Sequence, residues 1–374
     1  MDREPRGYER SVKNVRLTRP ERRGGRRRGA GFTPRFYGAL GLALLVLLIL
    51  VIVVATRGCG GSGSPGKAAA GNLSAAELDR MKINEMGMVM VLEYHVIGPE
   101  DRWSRSPDNF RADLETLYAE GYRCVSLRDY VTNNVRVEVG CTPVIFTFDD
   151  SNVSQFRYIE QDGKLIIDPD CAVGIMEDFA QRHPDFGMTA TFYVLPAMFG
   201  QPEYAEMKLK YLVEHGYDIG NHTVSHTALS KLSPEKAVQE IAGNIAEVRK
   251  YLPGYEEYSI ALPLGEKPQD PAVLVSGEYG GVSYHFLASL LVGSDPAPAP
   301  NDRKFDPMNL PRVQVLALAH KEGSVGSEAW MQFFRDNPEC RYRSDGDPST
   351  VTIPRHVLPR VNMDSLGDRK LRTY

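Results

Sequence analysis

Two hydrophobic periods alternate along the chain from residue 88 onward. Residues 88–92, 143–148, 189–195, 259–264 and 313–318 are short, mostly apolar runs, the third rich in β-branched and aromatic side chains. Such runs read as strands buried on both faces. Amphipathic stretches separate them. Ser106-Pro107 opens one helix, with Ser as N-cap and Pro at the first helical position. Phe110, Leu114, Leu117 and Tyr118 share a face of it, and Gly121 ends it. A helical pattern returns over 204–215. Ser233-Pro234 repeats the opening, and Val238, Ile241, Ile245, Val248 and Leu252 form one continuous apolar stripe. Strand–helix alternation predicts an α/β fold built on a mostly parallel sheet or barrel, with its chemistry at the carboxyl ends of the strands. Asp162-Gly163 interrupts the alternation between 156–159 and 165–167. That dipeptide predicts a hairpin, a lid or rim insertion after the strand ending at Phe148.

Residues 1–83 have a different pattern. Residues 1–35 carry twelve Lys/Arg against four Asp/Glu, a net +8, so the total of −4 leaves −12 for the remainder. So basic an arm, poor in apolar residues, cannot fold by burial. Residues 36–55 then run apolar without a charge. Twenty residues at helical rise span about 30 Å, the bilayer core. The predicted organisation is a basic cytoplasmic arm (1–35), a transmembrane helix (36–55) that meets the lipid bilayer, a flexible tether (56–83) and a domain over 84–374. The positive arm places the N-terminus in the cytoplasm and the domain outside, at the cell membrane. A cleaved signal peptide and a lipid-modified Cys59 are the competing readings, disfavoured by the length of the apolar run and by Thr56-Arg57-Gly58. After the Gly/Ser-rich stretch 58–71, residues 74–84 predict a short polar helix.

Composition excludes a collagen-like chain, a disulfide-dense miniprotein, wholesale disorder and a multi-span membrane protein: 42% of residues are hydrophobic and 25% charged. The acidic outer part offers no case for nucleic acid. Five cysteines have no metal-knuckle or redox spacing. A Cys124–Cys141 bridge is open, with isolated thiols the simpler reading.

Candidate chemistry sits at strand ends. Thr147-Phe148-Asp149-Asp150 closes an apolar strand, and a turn there can aim both carboxylates into one cleft; a turn-initiating Asp pair is the plain alternative. His222 and His226 lie four apart, which in a helical turn puts both rings on one face, able to share a metal. Two His and one Asp suit Zn²⁺, with Co²⁺, Ni²⁺ or Mn²⁺ as alternatives. His95 ends the first strand and faces the same end of a parallel barrel. His183, His215, His285, His320 and His356 form no such set.

Thr-Phe-Asp-Asp followed by Asn-His-Thr-Val-Ser-His resembles the first two motifs of the polysaccharide deacetylases (carbohydrate esterase family four, the NodB-homology domain). The resemblance covers about residues 87–320. It implies a distorted (β/α) barrel, Asp149 as catalytic base, and Asp150, His222 and His226 as metal ligands. Leu318-Ala319-His320 matches the usual C-terminal acid motif weakly. Val91-Leu-Glu-Tyr94-His95 instead resembles the circularly permuted branch, in which the acid histidine lies on the N-terminal strand, so His95 takes that role. Two departures stand out: Ala261-Leu262-Pro263-Leu264-Gly265 lacks the family's Arg, with Arg312 of Leu310-Pro311-Arg312 the one candidate to orient Asp149 in its place, and Ser151 replaces the usual Gly. The implied activity is metal-dependent removal of N-acetyl groups from a cell-wall or exopolysaccharide amino sugar. A non-catalytic glycan-binding module and an O-acetyl esterase are the alternatives.

Overall fold

The computed structural model describes residues 73–293, 295–315 and 326–374. The basic arm, the predicted span, residues 56–72 of the tether and Leu318-Ala319-His320 lie outside the described residues. Among the described residues, no helix is long and apolar enough to cross a membrane.

A barrel of parallel strands organises the domain. Strand β1 (Met90–Tyr94) is followed by two short strands, β2 (Val96–Ile97) and β3 (Ser104–Arg105), which pair with each other. Next come β4 (Tyr122–Cys124) and β5 (Thr142–Phe148), the hairpin β6 (Tyr158–Gln161) and β7 (Lys164–Ile167), then β8 (Thr191–Val194), β9 (Asp218–Asn221) and β10 (Ser259–Ala261). A second hairpin, β11 (Ser276–Tyr279) and β12 (Val282–His285), precedes β13 (Ala288–Leu290) and β14 (Val313–Gln314). The sheet runs β13-β10-β9-β8-β5-β1-β14, all parallel, and β4 pairs with the start of β5. Its two ends meet: Leu310, just ahead of β14, donates to Ser289 O at 3.0 Å and accepts from Leu291 N at 2.9 Å. That contact leaves no open edge there.

Alternation along the strands builds two cores. Val89, Val91, Ile145, Tyr193, Ala261 and Leu290 fill the barrel interior. Leu92, Tyr94, Val144, Phe146, Phe148 and Phe192 point outward and pack under helices α2 (Pro107–Ala119), α4 (Ala172–Arg182) and α5 (Ala205–Glu214). Helix α6 (Pro234–Arg249) buries Ile241 and Ile245 in a third cluster and Val248 in the outer core. Of the remaining helices, α1 (Ala75–Met81) opens the described chain, α3 (Leu127–Val131) follows β4, and α7 (Ser327–Asp336) follows β14.

The sequence signals for these boundaries hold. Ser106 Oγ accepts from Asn109 N and Ser233 Oγ from Lys236 N, as N-caps should. Asp162 and Gly163 take φ of 52° and 68°, the left-handed pair a two-residue hairpin needs. The predicted strand over 259–264 stops at Ala261 and turns away through Pro263. Cys124, Cys141, Cys171 and Cys340 are free thiols, so no Cys124–Cys141 bridge forms.

Leu73, inside the stretch read as tether, is already packed. Helix α1 carries a complete Ser74/Glu77 capping box. Leu73, Leu78 and Ile83 are buried against Val139 and Tyr374. Tyr374 Oη donates to Ile83 O at 2.7 Å, and β15 (Thr350–Ile353) and β16 (Lys370–Thr373) form a parallel pair beside it.

Candidate active site

Three strand ends and the lead-in to a fourth meet at one mouth of the barrel. Inward-facing positions on β5 are Ile145, Thr147 and, one step past the strand, Asp149. The period of two therefore carries Asp149 onto the barrel axis. There it meets Arg312, which precedes β14. Arg312 Nη1 and Nη2 donate to the two Asp149 carboxylate oxygens, each at 2.7 Å. Both side chains are buried. Arg312 is itself fixed by Leu291 O at 2.8 Å and Thr147 Oγ1 at 3.1 Å. Burial opposes the Asp149 charge, but the Arg312 guanidinium and its hydrogen bonds win and hold the carboxyl well below the usual range. The Arg absent from the 261–265 stretch is thus supplied from elsewhere in the chain.

Asp150 turns off the strand. It and Ser151 take left-handed φ of 73° and 43°, which reverses the side-chain direction that a continuing strand would impose. Ser151 Oγ pins this turn by accepting from Leu195 N at 3.0 Å. Asp150 Oδ1 lies 3.3 Å from Nε2 of both His222 and His226.

The two histidines follow β9 in an irregular bend. The expected helical turn is absent: Thr223 and His226 have φ of 66° and 54°, incompatible with helix. Side chains shape the bend instead. Asn221 Oδ1 accepts from Thr223 N, Thr223 Oγ1 from His226 N, and Glu240 Oε2 from Val224 N and Ser225 N. Asn244 Nδ2 donates to Thr223 O. Both rings still converge, 4.8 Å apart by centroid.

Donor atoms of Asp150, His222 and His226 all lie within 4.8 Å of one another. His222 Nδ1 is 2.9 Å from Ala261 O, so it carries the proton and leaves the Nε2 lone pair facing Asp150. Two imidazole nitrogens and one carboxylate oxygen suit a divalent cation of the zinc type, and the second shell is in place. Glu93, His95 and Asp149 form a second close group. Arg312 already occupies the Asp149 carboxylate and lies 3.5 Å from Glu93, which disfavours a cation there.

His95 reaches the same cleft. Its Nε2 is 3.7 Å from Glu93 Oε1, two residues back on the same face of β1. Burial pushes the His95 imidazolium down, against the pull of Asp149 and Asp150. Both Glu93 oxygens are buried, and burial pushes the carboxyl up to about 7 despite Arg312. Sequence reasoning gave Glu93 no role; the available signal was an acid at an inward position of an otherwise apolar strand.

The cleft measures about 370 Å³, with Val96, Trp103, Leu262, Leu264 and Val292 as apolar walls above this charged floor. A concavity of about 420 Å³ elsewhere, lined by Arg123, Glu138, Asp185 and Tyr342 among others, brings no histidine to its wall. All five residues expected from sequence, Asp149, Asp150, His222, His226 and His95, share the first cleft.

Residues 136–280 match the sequence model of the family described as polysaccharide deacetylase. No curated protein matches the chain. Among solved structures, the chain is similar to Streptococcus pyogenes deacetylase PplD in complex with acetate, at 20% identity and a TM-score of 0.48, covering 66% of this chain and 98% of that one. It is also similar to IcaB from Ammonifex degensii, at 17% identity and a TM-score of 0.47, covering 66% and 95%.

Proposed function

We propose that this chain, whose residues 136–280 belong to the polysaccharide deacetylase family, is a metal-dependent hydrolase that removes N-acetyl groups from an amino-sugar polymer. One observation carries the reading most: a buried carboxylate, kept ionised by a two-pronged arginine, stands beside a histidine–carboxylate triad in an open cleft.

Asp150, His222 and His226 would hold a divalent cation, Zn²⁺ by donor type. Such a cation supplies Lewis acidity toward the acetyl carbonyl and acidifies a water. Asp149 is the base. Arg312 keeps it charged and aims its free lone pairs into the cleft, so it takes the proton of the attacking water. His95, whose ring nitrogen lies within 4.8 Å of an Asp149 oxygen, passes a proton to the departing amine. Leu262 and Leu264 limit water around the reacting amide. Acetate and a free amino sugar leave. The position of His95 on the first strand supports the permuted arrangement of the family. The apolar run at 36–55, behind its basic arm, supports a membrane-anchored enzyme working outside the cell, where wall glycan or nascent exopolysaccharide is the accessible polymer.

The test is acetate release by the full-length chain in detergent, loaded with Zn²⁺ or Co²⁺, from N-acetylglucosamine oligomers, peptidoglycan and O-acetylated xylan. Asp149→Asn should abolish it. Release from xylan alone would make the enzyme an esterase. Metal binding with no acetate from any glycan would make the domain a binding module.

A further inference from the structure

We propose that Trp103 is the platform on which the pyranose ring bearing the scissile acetamide stacks, and so a specificity determinant for cyclic amino sugars. The inference rests on the deacetylase reading above and names what that site recognises.

The argument is one of reach. In the proposed reaction His95 hands its proton to the leaving nitrogen. That nitrogen is bonded directly to a ring carbon of the sugar. The pyranose ring therefore lies within two bonds of the atom His95 must touch. The acetyl group extends the other way, toward Asp150, His222 and His226. The wall on the His95 side of the cleft is Trp103, whose ring centroid is 5.1 Å from that of His95. No Phe, Tyr or second Trp lines the cleft among the described residues; its other apolar lining is Val96, Leu262, Leu264 and Val292.

Trp103 is also presented as a binding surface rather than packed as core. It keeps 39% of its surface exposed, unusual for a tryptophan beside buried catalytic groups. Its support is rigid. Trp103 O accepts from Val96 N at 3.1 Å, and Asp101 and Ser104 exchange backbone hydrogen bonds across the turn that carries it. The next strand residue, Arg105, is buried and clamped by Asp113 at 2.5 and 2.9 Å and by Glu100 and Glu328 at 3.3 Å. The guanidinium of Arg102 lies over the indole ring, 5.1 Å from its centroid, a cation–π contact. A sugar presents an apolar face of C–H groups and an edge of hydroxyls. An exposed indole matches the apolar face at low entropic cost, because the indole is already fixed.

The sequence supplies its own reporter: Trp103 and Trp330 are the two tryptophans of the chain. In a full-length Trp330→Phe background, the emission of Trp103 should change saturably on adding N-acetylglucosamine oligomers. Stacking interactions of this kind predict that Trp103→Ala raises KM for those oligomers about tenfold. Trp103→Phe should recover part of the loss. N-acetylethanolamine, an acetamide with no ring, should be turned over equally by wild type and Trp103→Ala. An unchanged KM for oligomers, or no change in Trp103 emission at saturating glycan, overturns the proposal. So does an equal loss on both substrates, which would mean that Trp103 only positions His95. Absence of acetate release by the wild type would instead remove the deacetylase reading itself, while the fluorescence titration still reports on glycan binding at Trp103.

Discussion

Replacing Arg312 by Met tests the electrostatic logic of the cleft directly. The side chain is fully buried and makes five polar contacts: two with Asp149, one each with Thr147 and Leu291, and a longer one with Glu93. Methionine keeps much of the volume and removes the charge. Breaking a buried pair on one side costs about 3–5 kcal/mol, because the remaining carboxylate is left uncompensated. The deficit should depend on pH, and its sign follows from protonation. In the wild type, Asp149 is held ionised far into acid, so it titrates only below its ordinary value of 3.8. Without Arg312, burial is the largest remaining influence and pushes the Asp149 carboxyl up, against the pull of His222 and His95. The variant then binds up to one more proton on folding than the wild type does. Its deficit should shrink by up to about 1.4 kcal/mol per pH unit as pH falls from 7 toward 4.5. Denaturant unfolding of both proteins at pH 7, 6 and 5 measures this. A deficit below about 1 kcal/mol at pH 7, or one flat across the series, would refute the claim that Arg312 holds Asp149 ionised. Arg312→Lys keeps the charge but not the fork, and should restore part of the stability and little of the acetate release.

Other consequences are open to measurement. Asp150→Asn should weaken Zn²⁺ binding in calorimetric titration and remove the metal-dependent rise in melting temperature, since stabilisation by a ligand follows its affinity. Glu85 is pushed up to about 8 by burial and by Asp345, so it binds a proton on folding between pH 4.5 and 8. Wild-type stability should therefore fall by up to about 1.4 kcal/mol per pH unit across that window, and Glu85→Gln should flatten the slope seen in denaturation midpoints. Gly163→Val puts a β-branched residue at φ 68° and should cost about 1–2 kcal/mol in thermal unfolding, leaving the cleft chemistry untouched.

Much of the barrel was legible because its signals are local. Ser-Pro openings, apolar runs and Asp162-Gly163 each encode one element without help from distant residues. The Asp149–Asp150 pair was legible for the same reason: two carboxylates at the end of an apolar run invite a cation. The conformation of 222–226 was not. A four-residue spacing fits a helical turn equally well, and the bend that forms depends on Asn221, Glu240 and Asn244, whose roles need tertiary contact. Arg312 was reachable only as the arginine ahead of a late strand; its grip on Asp149 exists only once the barrel closes. Glu93 and Trp103 went unassigned because alternation and exposure give them meaning, and neither follows from residue type. The burial of Leu73 and Leu78 likewise depends on Val139 and Tyr374, far along the chain.

The closing contact of the barrel has a kinetic consequence. Strand β1 is made early in synthesis, yet it pairs with β14 and, through Met88 and Tyr342, with chain later still. Such long-range pairings pay their loop-closure entropy before they gain any contact, which makes them late events in folding. Arg312 rides on the segment that closes the ring. A barrel lacking only that last segment would hold its histidines and Asp150 but leave Asp149 without its partner. Metal uptake should therefore recover ahead of activity when the denatured protein is refolded, the delay between them timing the docking of one strand.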